Sequence, residues 1–141
     1  MVKYGRIDTC HMDALWKLQM LYKAEINEEA PDEKDKERLA DAIRSNQIVF
    51  YGAWDDAFLI GCCSISPGFS TFNYQPSGTF EDFYICKEYR HQGIARVLVR
   101  YAWENSGVRS LTVGCADCDV YMYQALGFSI PLGHLLAFDN E

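Results

Sequence analysis

The residues best suited to do chemistry are Arg90, His91, Gln92, Gly93, Ile94, Ala95 and Arg96. They follow an apolar run, Phe83, Tyr84, Ile85 and Cys86, and open a helix-period run through Val97, Leu98, Tyr101 and Ala102. A strand, a basic loop with one glycine and a helix start together make an anion site. The first N–H groups of the helix lack intrahelical partners, and the helix dipole adds partial positive charge there. Arg90, His91 and Arg96 add charge or donors, so a diphosphate is the natural guest. Gly93 lets the backbone approach that guest and tolerates positive φ. The plainer alternative is a charged turn before an amphipathic helix, with its arginines solvated.

Just ahead stand two adjacent carboxylates, Glu81 and Asp82. In a regular strand Glu81 shares a face with Phe83 and Ile85, and Asp82 shares the other with Tyr84 and Cys86. Only one of the pair then faces a ligand, where it could take a proton from a cationic amine. Otherwise the pair is a solvated strand end. Cys115 and Cys118 form a CxxC, but a zinc site needs about four ligands and no second cysteine or histidine pair accompanies this one. It also comes late in the chain for a thioredoxin-like dithiol. No metal is expected.

The elements that must position these residues can be read along the chain. Residues 2–7 read as a strand and 8–27 as a helix, with Leu15, Leu18, Leu21 and Tyr22 at helical spacing and Asp8 or Thr9 as its cap. Pro31 and Asp32 open a charged second helix reaching about Ser45. Residues 47–54 and 58–66 read as a hairpin turning at Asp55 and Asp56, and 67–78 as a long flexible loop. A strand over 79–86 is followed by a helix over 93–105 that stops near Gly107, and a strand over 108–114. A short helix over 117–126 stops at Gly127, and 128–130 and 134–138 read as a last pair of strands. This order implies an α+β fold with a mixed sheet.

Composition narrows the classes. With 141 residues, 49% hydrophobic and 14% aromatic, the chain reads as one folded domain over residues 1–141. A formal charge of −7 argues against nucleic acid as a partner and suits a cationic ligand better. The charged first residues do not read as a signal peptide, no stretch reads as a membrane span, and the six cysteines show no disulfide framework. A reduced, cytoplasmic protein is expected. Sheet edges that need cover would suit a homodimer, a choice the sequence leaves open.

Two motifs together resemble the GNAT superfamily of acyl-CoA-dependent N-acyltransferases. Arg90, His91, Gln92, Gly93, Ile94 and Ala95 fit that family's Arg/Gln-x-x-Gly-x-Gly/Ala loop, and Met122 to Phe128 fits its late aromatic-Tyr-x-x-Leu-Gly-Phe signature. The gap between them and the element order also match. The resemblance implies a GNAT-like, mostly antiparallel twisted sheet flanked by helices, and acetyl-CoA as cosubstrate without a metal. Backbone N–H groups of Gln92, Gly93, Ile94, Ala95 and Arg96 would cradle the pyrophosphate, and the pantetheine arm would run along Phe83, Tyr84 and Ile85. Tyr123 would be the general acid for the departing thiolate, selected over Tyr121 by its distance from Leu126, Gly127 and Phe128. Glu81 would be the general base, and a strand N–H near Phe83 or Tyr84 would hold the oxyanion.

In the same picture Glu25, Glu28 and Glu29 form an acidic rim for a small-molecule amine or simply a solvated face. Trp16, Tyr22, Phe69, Phe72 and Tyr74 are candidate acceptor walls. The chain departs from the family in lacking an asparagine at the start of its last helix, where Asp117 stands instead. A non-catalytic acyl-CoA-binding module on the same fold is the competing expectation.

Overall fold

A computed structural model describes residues 1–140. The elements are β1 (Val2–Ile7), α1 (Met12–Glu25), α2 (Glu33–Arg44), β2 (Val49–Asp55), β3 (Phe58–Ser70), β4 (Gln75–Ile85), α3 (Ile94–Ser106), β5 (Ser110–Val113) and α4 (Val120–Ala125). The strands form one sheet in chain order, antiparallel from β1 to β4 and parallel between β4 and β5. The expected α+β architecture with a mixed sheet is what the chain adopts.

Strand alternation divides the core into two layers. On one face Tyr51, Cys63, Ile65, Phe80 and Ile85 pack against Ile94, Leu98 and Ala102 of α3. On the other Ile7, Phe50, Cys62 and Tyr84 pack against Leu15 and Leu18 of α1 and Ile43 of α2. Each such large side chain, fully buried, contributes about 1.5–3 kcal/mol. Asp32 caps α2 by accepting from the Asp35 N–H at 2.9 Å, and the Asp35 carboxylate accepts from the Asp32 N–H at 3.0 Å. Lys36 ties α2 to α1 through Asp13 at 2.9 Å.

Three expectations are corrected. The first helix proper begins at Met12, because Thr9–His11 forms a tighter turn capped by Asp8. Residues 67–78 are no loop: β3 and β4 run on as a hairpin arm paired from Pro67↔Gly78 to Ser70↔Gln75. Backbone ladder bonds build that arm without apolar burial, which composition cannot reveal, and Phe69, Phe72 and Tyr74 stay exposed on it. Lastly, residues 128–130 and 134–138 form no strands, since none of the described residues pairs with them in the sheet.

Candidate active site

β5 pairs with β4 only from Ser77 to Phe80 and ends at Val113, whereas β4 continues to Ile85. The last residues of β4 therefore have an edge that β5 does not reach. Just there the strand is irregular. Cys62 pairs with Tyr84 but Ser64 with Glu81, so Asp82 and Phe83 together face Cys63 in a β-bulge. Asp82 sits at φ +56°, a conformation aspartate tolerates better than most side chains.

The bulge breaks the expected alternation at Glu81, whose register partner is Ser64, while Asp82 keeps the face expected for it with Tyr84 and Cys86. Phe80 and Phe83 both join the core under α3, while Asp82 turns to α1. The Ser64 hydroxyl donates to one Asp82 oxygen at 2.7 Å, the Gln19 amide donates to the other at 3.3 Å, and the Cys62 thiol reaches the Asp82 carbonyl at 3.4 Å. Glu81 is exposed beside this network. Both carboxylates lie close enough to Tyr22 that, after burial and together with Glu28, they push its phenol up to about 12. The Asp82 network was missed in the sequence. Its signal was a serine and a glutamine inside otherwise apolar faces, Ser64 and Gln19, both buried.

Tyr123 completes the site from α4. Its backbone carbonyl accepts from Leu126 and Phe128 N–H groups at 3.1 and 3.0 Å, and Gly127 takes φ +115°. That turn folds Phe128 back onto Phe80, with ring centres 5.1 Å apart. The Tyr123 ring then lies 6.2 Å from Phe83, 6.5 Å from Phe80 and 6.0 Å from Phe128. Burial, then the nearby charges of Tyr22, Asp119 and Cys115, push its phenol up to about 12. Tyr121, two residues away, is exposed. The glycine in this signature is thus a fold requirement, because it lets the chain reverse and wedge the tyrosine.

The loop before α3 has the shape expected of an anion cradle. His91 and Gly93 both take positive φ, 64° and 83°, and nothing lies within 4 Å of where a Gly93 Cβ would stand. Gly93 directly precedes Ile94, the first residue of α3. Ile94 is buried in the core, Ala95 packs against it, and the side chains of His91, Gln92 and Arg96 are exposed. These backbone donors, with no Cβ in the way, fit a diphosphate. Arg90 is used otherwise. Its Nε donates to the Ile85 carbonyl at 2.7 Å, its Nη2 donates to both Glu25 oxygens at 2.9 and 3.1 Å, and its guanidinium lies 5.3 Å from the Tyr84 ring centre. Arg90 clamps the loop to α1 and β4, and Glu25 is spent on that clamp.

Between α1 and α2 an open groove of about 800 Å³ is walled by Trp16, Gln19, Lys23, Glu28 and Glu29, among others. Lys23 pairs with Glu28 at 3.0 Å and lies 5.7 Å from the Tyr22 ring centre. Gln19 lines this groove and donates to Asp82, so one side chain joins the groove to the bulge. Cys115 and Cys118 are exposed free thiols. No described helix is long and apolar enough to cross a membrane.

Comparison with known proteins bears on this geometry. Residues 46–130, more than half of the chain, match the model of an acetyltransferase (GNAT) domain. A search of the curated proteins found no match. Among solved structures, one described as a probable acetyltransferase is 21% identical, with 99% of each chain covered and a TM-score of 0.84. An aminoglycoside acetyltransferase from an uncultured soil metagenomic sample, in complex with sisomicin, is 14% identical over 99% of this chain and 96% of its own, with a TM-score of 0.82. A predicted acetyltransferase from Clostridium acetobutylicum, solved with acetyl-CoA, is 17% identical over the same shares, with a TM-score of 0.76.

Proposed function

The chain belongs to the GNAT acetyltransferases, and on that premise we propose that it transfers an acetyl group from acetyl-CoA to the primary amine of a small cationic molecule by direct attack. It is an acyltransferase; the acceptor, the mechanism and the residue roles are the proposal. The observation that carries it is the half-buried Tyr123 phenol, packed on Phe83 beside the β4 edge that β5 leaves uncovered.

Acetyl-CoA supplies the activated acyl carbon and a thiolate leaving group. Backbone N–H groups of Gln92, Gly93, Ile94, Ala95 and Arg96 are assigned to its diphosphate, and the edge of Phe83, Tyr84 and Ile85 to its pantetheine arm. Arg90 serves by holding the loop. An N–H in the bulge, at Phe83 or Tyr84, is assigned to the negative charge that develops on the carbonyl oxygen. Glu81, exposed and near Tyr22, takes the ammonium proton directly or through water. The groove with Trp16, Glu28 and Glu29 suits a cationic acceptor. A structure of similar fold is an aminoglycoside acetyltransferase in complex with sisomicin, which supports a small-molecule acceptor for this chain. A homodimer and a cytoplasmic location, consistent with six free thiols, belong to the same reading.

Tyr123 is the general acid. At about 12 its phenol keeps its proton throughout the working range. A free thiol titrates at about 8.5, so the transfer would be uphill in water. The desolvation that raises the phenol raises a buried thiolate's proton affinity too, which narrows that gap. The sign follows: the active form is the protonated one and its pKa is raised, so activity persists as pH rises. The kcat/KM profile is expected to climb with deprotonation of the amine and to show no fall assignable to Tyr123 below about pH 11. A falling limb with a midpoint near pH 8 or 9 that disappears in Tyr123→Phe would contradict the raised pKa while leaving the acid role standing. The function itself is tested with a panel of amines scored by thiol release, alongside calorimetry with coenzyme A. Binding with turnover of a di- or polycationic amine is expected, and no binding of either coenzyme A or acetyl-CoA overturns it.

A further inference from the structure

The ladder between β4 and β5 ends at Phe80 and Val113. Beyond it the two chains diverge. β4 runs on through Phe83 to Ile85, while the other strand leaves as residues 114–116 and a tight turn, Asp117–Asp119, closed by the Asp119 N–H donating to the Ala116 carbonyl at 2.9 Å. α4 then returns Tyr123 to Phe83, ring centres 6.2 Å apart. Residues 114–119 thus link the partner of Phe80 to the tyrosine on Phe83, around the gap where the strands part. Two thiols stand on that link, Cys115 and Cys118, both exposed. Cys115 lies near enough to Tyr123 that its charge helps to raise the phenol.

The other four thiols are placed differently. Cys62 and Cys63 are fully buried, and burial raises both; Cys86 is partly buried and raised by burial and then by Glu88. Only a thiolate attacks, so these three are inert. Cys10 is exposed, but it sits in the turn ahead of α1, its sulfur 3.7 Å from His11 Nε2. Acetyl transfer makes no use of Cys115 and Cys118, and two exposed thiols three residues apart are an acceptor for disulfides.

We propose that Cys115 and Cys118 form a dithiol that is oxidised by the disulfide of coenzyme A and that stops acetyl transfer when it closes. The proposal rests on the reading that acetyl-CoA occupies the Gly93 loop and the β4 edge. Coenzyme A disulfide carries the same diphosphate and pantetheine arm, so it docks the same way, with a sulfur–sulfur bond in place of the thioester. Tyr123 marks where that sulfur stands, and Cys115 is the thiol beside it. Docked, the disulfide meets Cys115 at an effective concentration on the order of millimolar.

Two exchanges complete the reaction. The Cys115 thiolate, its proton released to water, attacks the disulfide; a Cys115–coenzyme A bond forms and one coenzyme A leaves as a thiolate, which takes up a proton. The Cys118 thiolate then attacks the Cys115 sulfur and expels the second coenzyme A in the same way. Two protein thiols are oxidised to one disulfide, and coenzyme A disulfide is reduced to two thiols, so no further oxidant is needed. The new bond holds the sulfurs about 2 Å apart across the turn that leads into α4. Tyr123 is five residues past Cys118, and a shift of about 1 Å at a reacting group costs on the order of 100-fold in rate.

The test treats the reduced full chain with about 0.1 mM coenzyme A disulfide or glutathione disulfide and follows it by intact mass and peptide mapping. Coenzyme A disulfide is expected to oxidise the Cys115–Cys118 pair roughly 10-fold faster or more, since glutathione disulfide has no diphosphate to dock. The oxidised chain should lose at least about tenfold in acetyl transfer and regain it with dithiothreitol. Cys118→Ser cannot complete the second exchange, so it should retain one coenzyme A on Cys115, and Cys115→Ser should retain none. Both side chains are exposed, so both variants should keep the wild-type melting point and, when reduced, its rate of acetyl transfer. Cys10 is the internal control for exposure alone. Equal rates with the two disulfides, label on Cys10 to match Cys115, no adduct in Cys118→Ser, or full activity after oxidation each overturns the proposal. Calorimetry with coenzyme A on the reduced chain separates the causes. Where binding is intact, those results remove the dithiol and leave the acetyltransferase reading standing; absent binding removes both.

Discussion

Replacing Tyr123 with phenylalanine is expected to lower kcat/KM for acetyl transfer by about 10²–10⁴-fold while leaving the affinity for coenzyme A unchanged. Phenylalanine keeps the ring and hence the packing on Phe80, Phe83 and Phe128, whose centres all lie within 6.5 Å of the Tyr123 ring. The turn at Leu126 to Phe128 rests on the residue's backbone carbonyl, so it too survives. Only the hydroxyl is lost. If the phenol protonates the departing thiolate, its removal acts on the transition state and not on the bound ground state. Tyr22→Phe is the control, because Tyr22 lies near enough to perturb Tyr123 yet is not assigned to proton transfer. A change of less than about fivefold is expected there. Steady-state rates with calorimetry on the same preparations separate the outcomes. A matched loss of rate and coenzyme A affinity would reassign Tyr123 to packing.

What the sequence disclosed follows from the range over which each signal acts. The loop at Gly93 and the turn at Gly127 were legible because both are local: a positive φ beside a helix end favours glycine. The α+β class with its mixed sheet followed from the succession of elements. The bulge at Asp82 was not legible, because a one-residue slip between β3 and β4 is decided by long-range partners, Ser64 from one strand and Gln19 from a helix. That slip set Phe80 and Phe83 on one face, which strict alternation forbids, while Asp82 kept the face expected for it with Tyr84 and Cys86. Arg90 shows the same limit. Its position in the loop announces a cation, but whether the cation meets a ligand or Glu25, 65 residues earlier in the chain, depends on tertiary placement. Residues 134–138 read as a strand from their apolar pattern, but that pattern carries no information on whether a sheet edge meets them, and they form none.

Asp82→Ala is expected to cost about 3 kcal/mol of stability and to reduce acetyl transfer as well. Two terms make up the estimate. Removing the carboxylate leaves the fully buried Ser64 hydroxyl without its 2.7 Å acceptor, a loss of about 1–3 kcal/mol. Alanine at φ +56° adds about 1–2 kcal/mol of backbone strain that aspartate partly escapes. Against a typical total of about 5–15 kcal/mol, the variant stays folded at room temperature but melts roughly 10 °C lower. Because the bulge carries the Phe83 and Tyr84 N–H groups, its relaxation should also lower kcat by about tenfold or more. Asp82→Asn discriminates positioning from charge. Asparagine tolerates the same φ and keeps an acceptor for Ser64, so it should recover most of the melting temperature and most of kcat. If Asp82→Asn proves as slow as Asp82→Ala while melting like the wild type, the carboxylate's charge acts on the reaction itself, and the base assigned to Glu81 should be sought at Asp82.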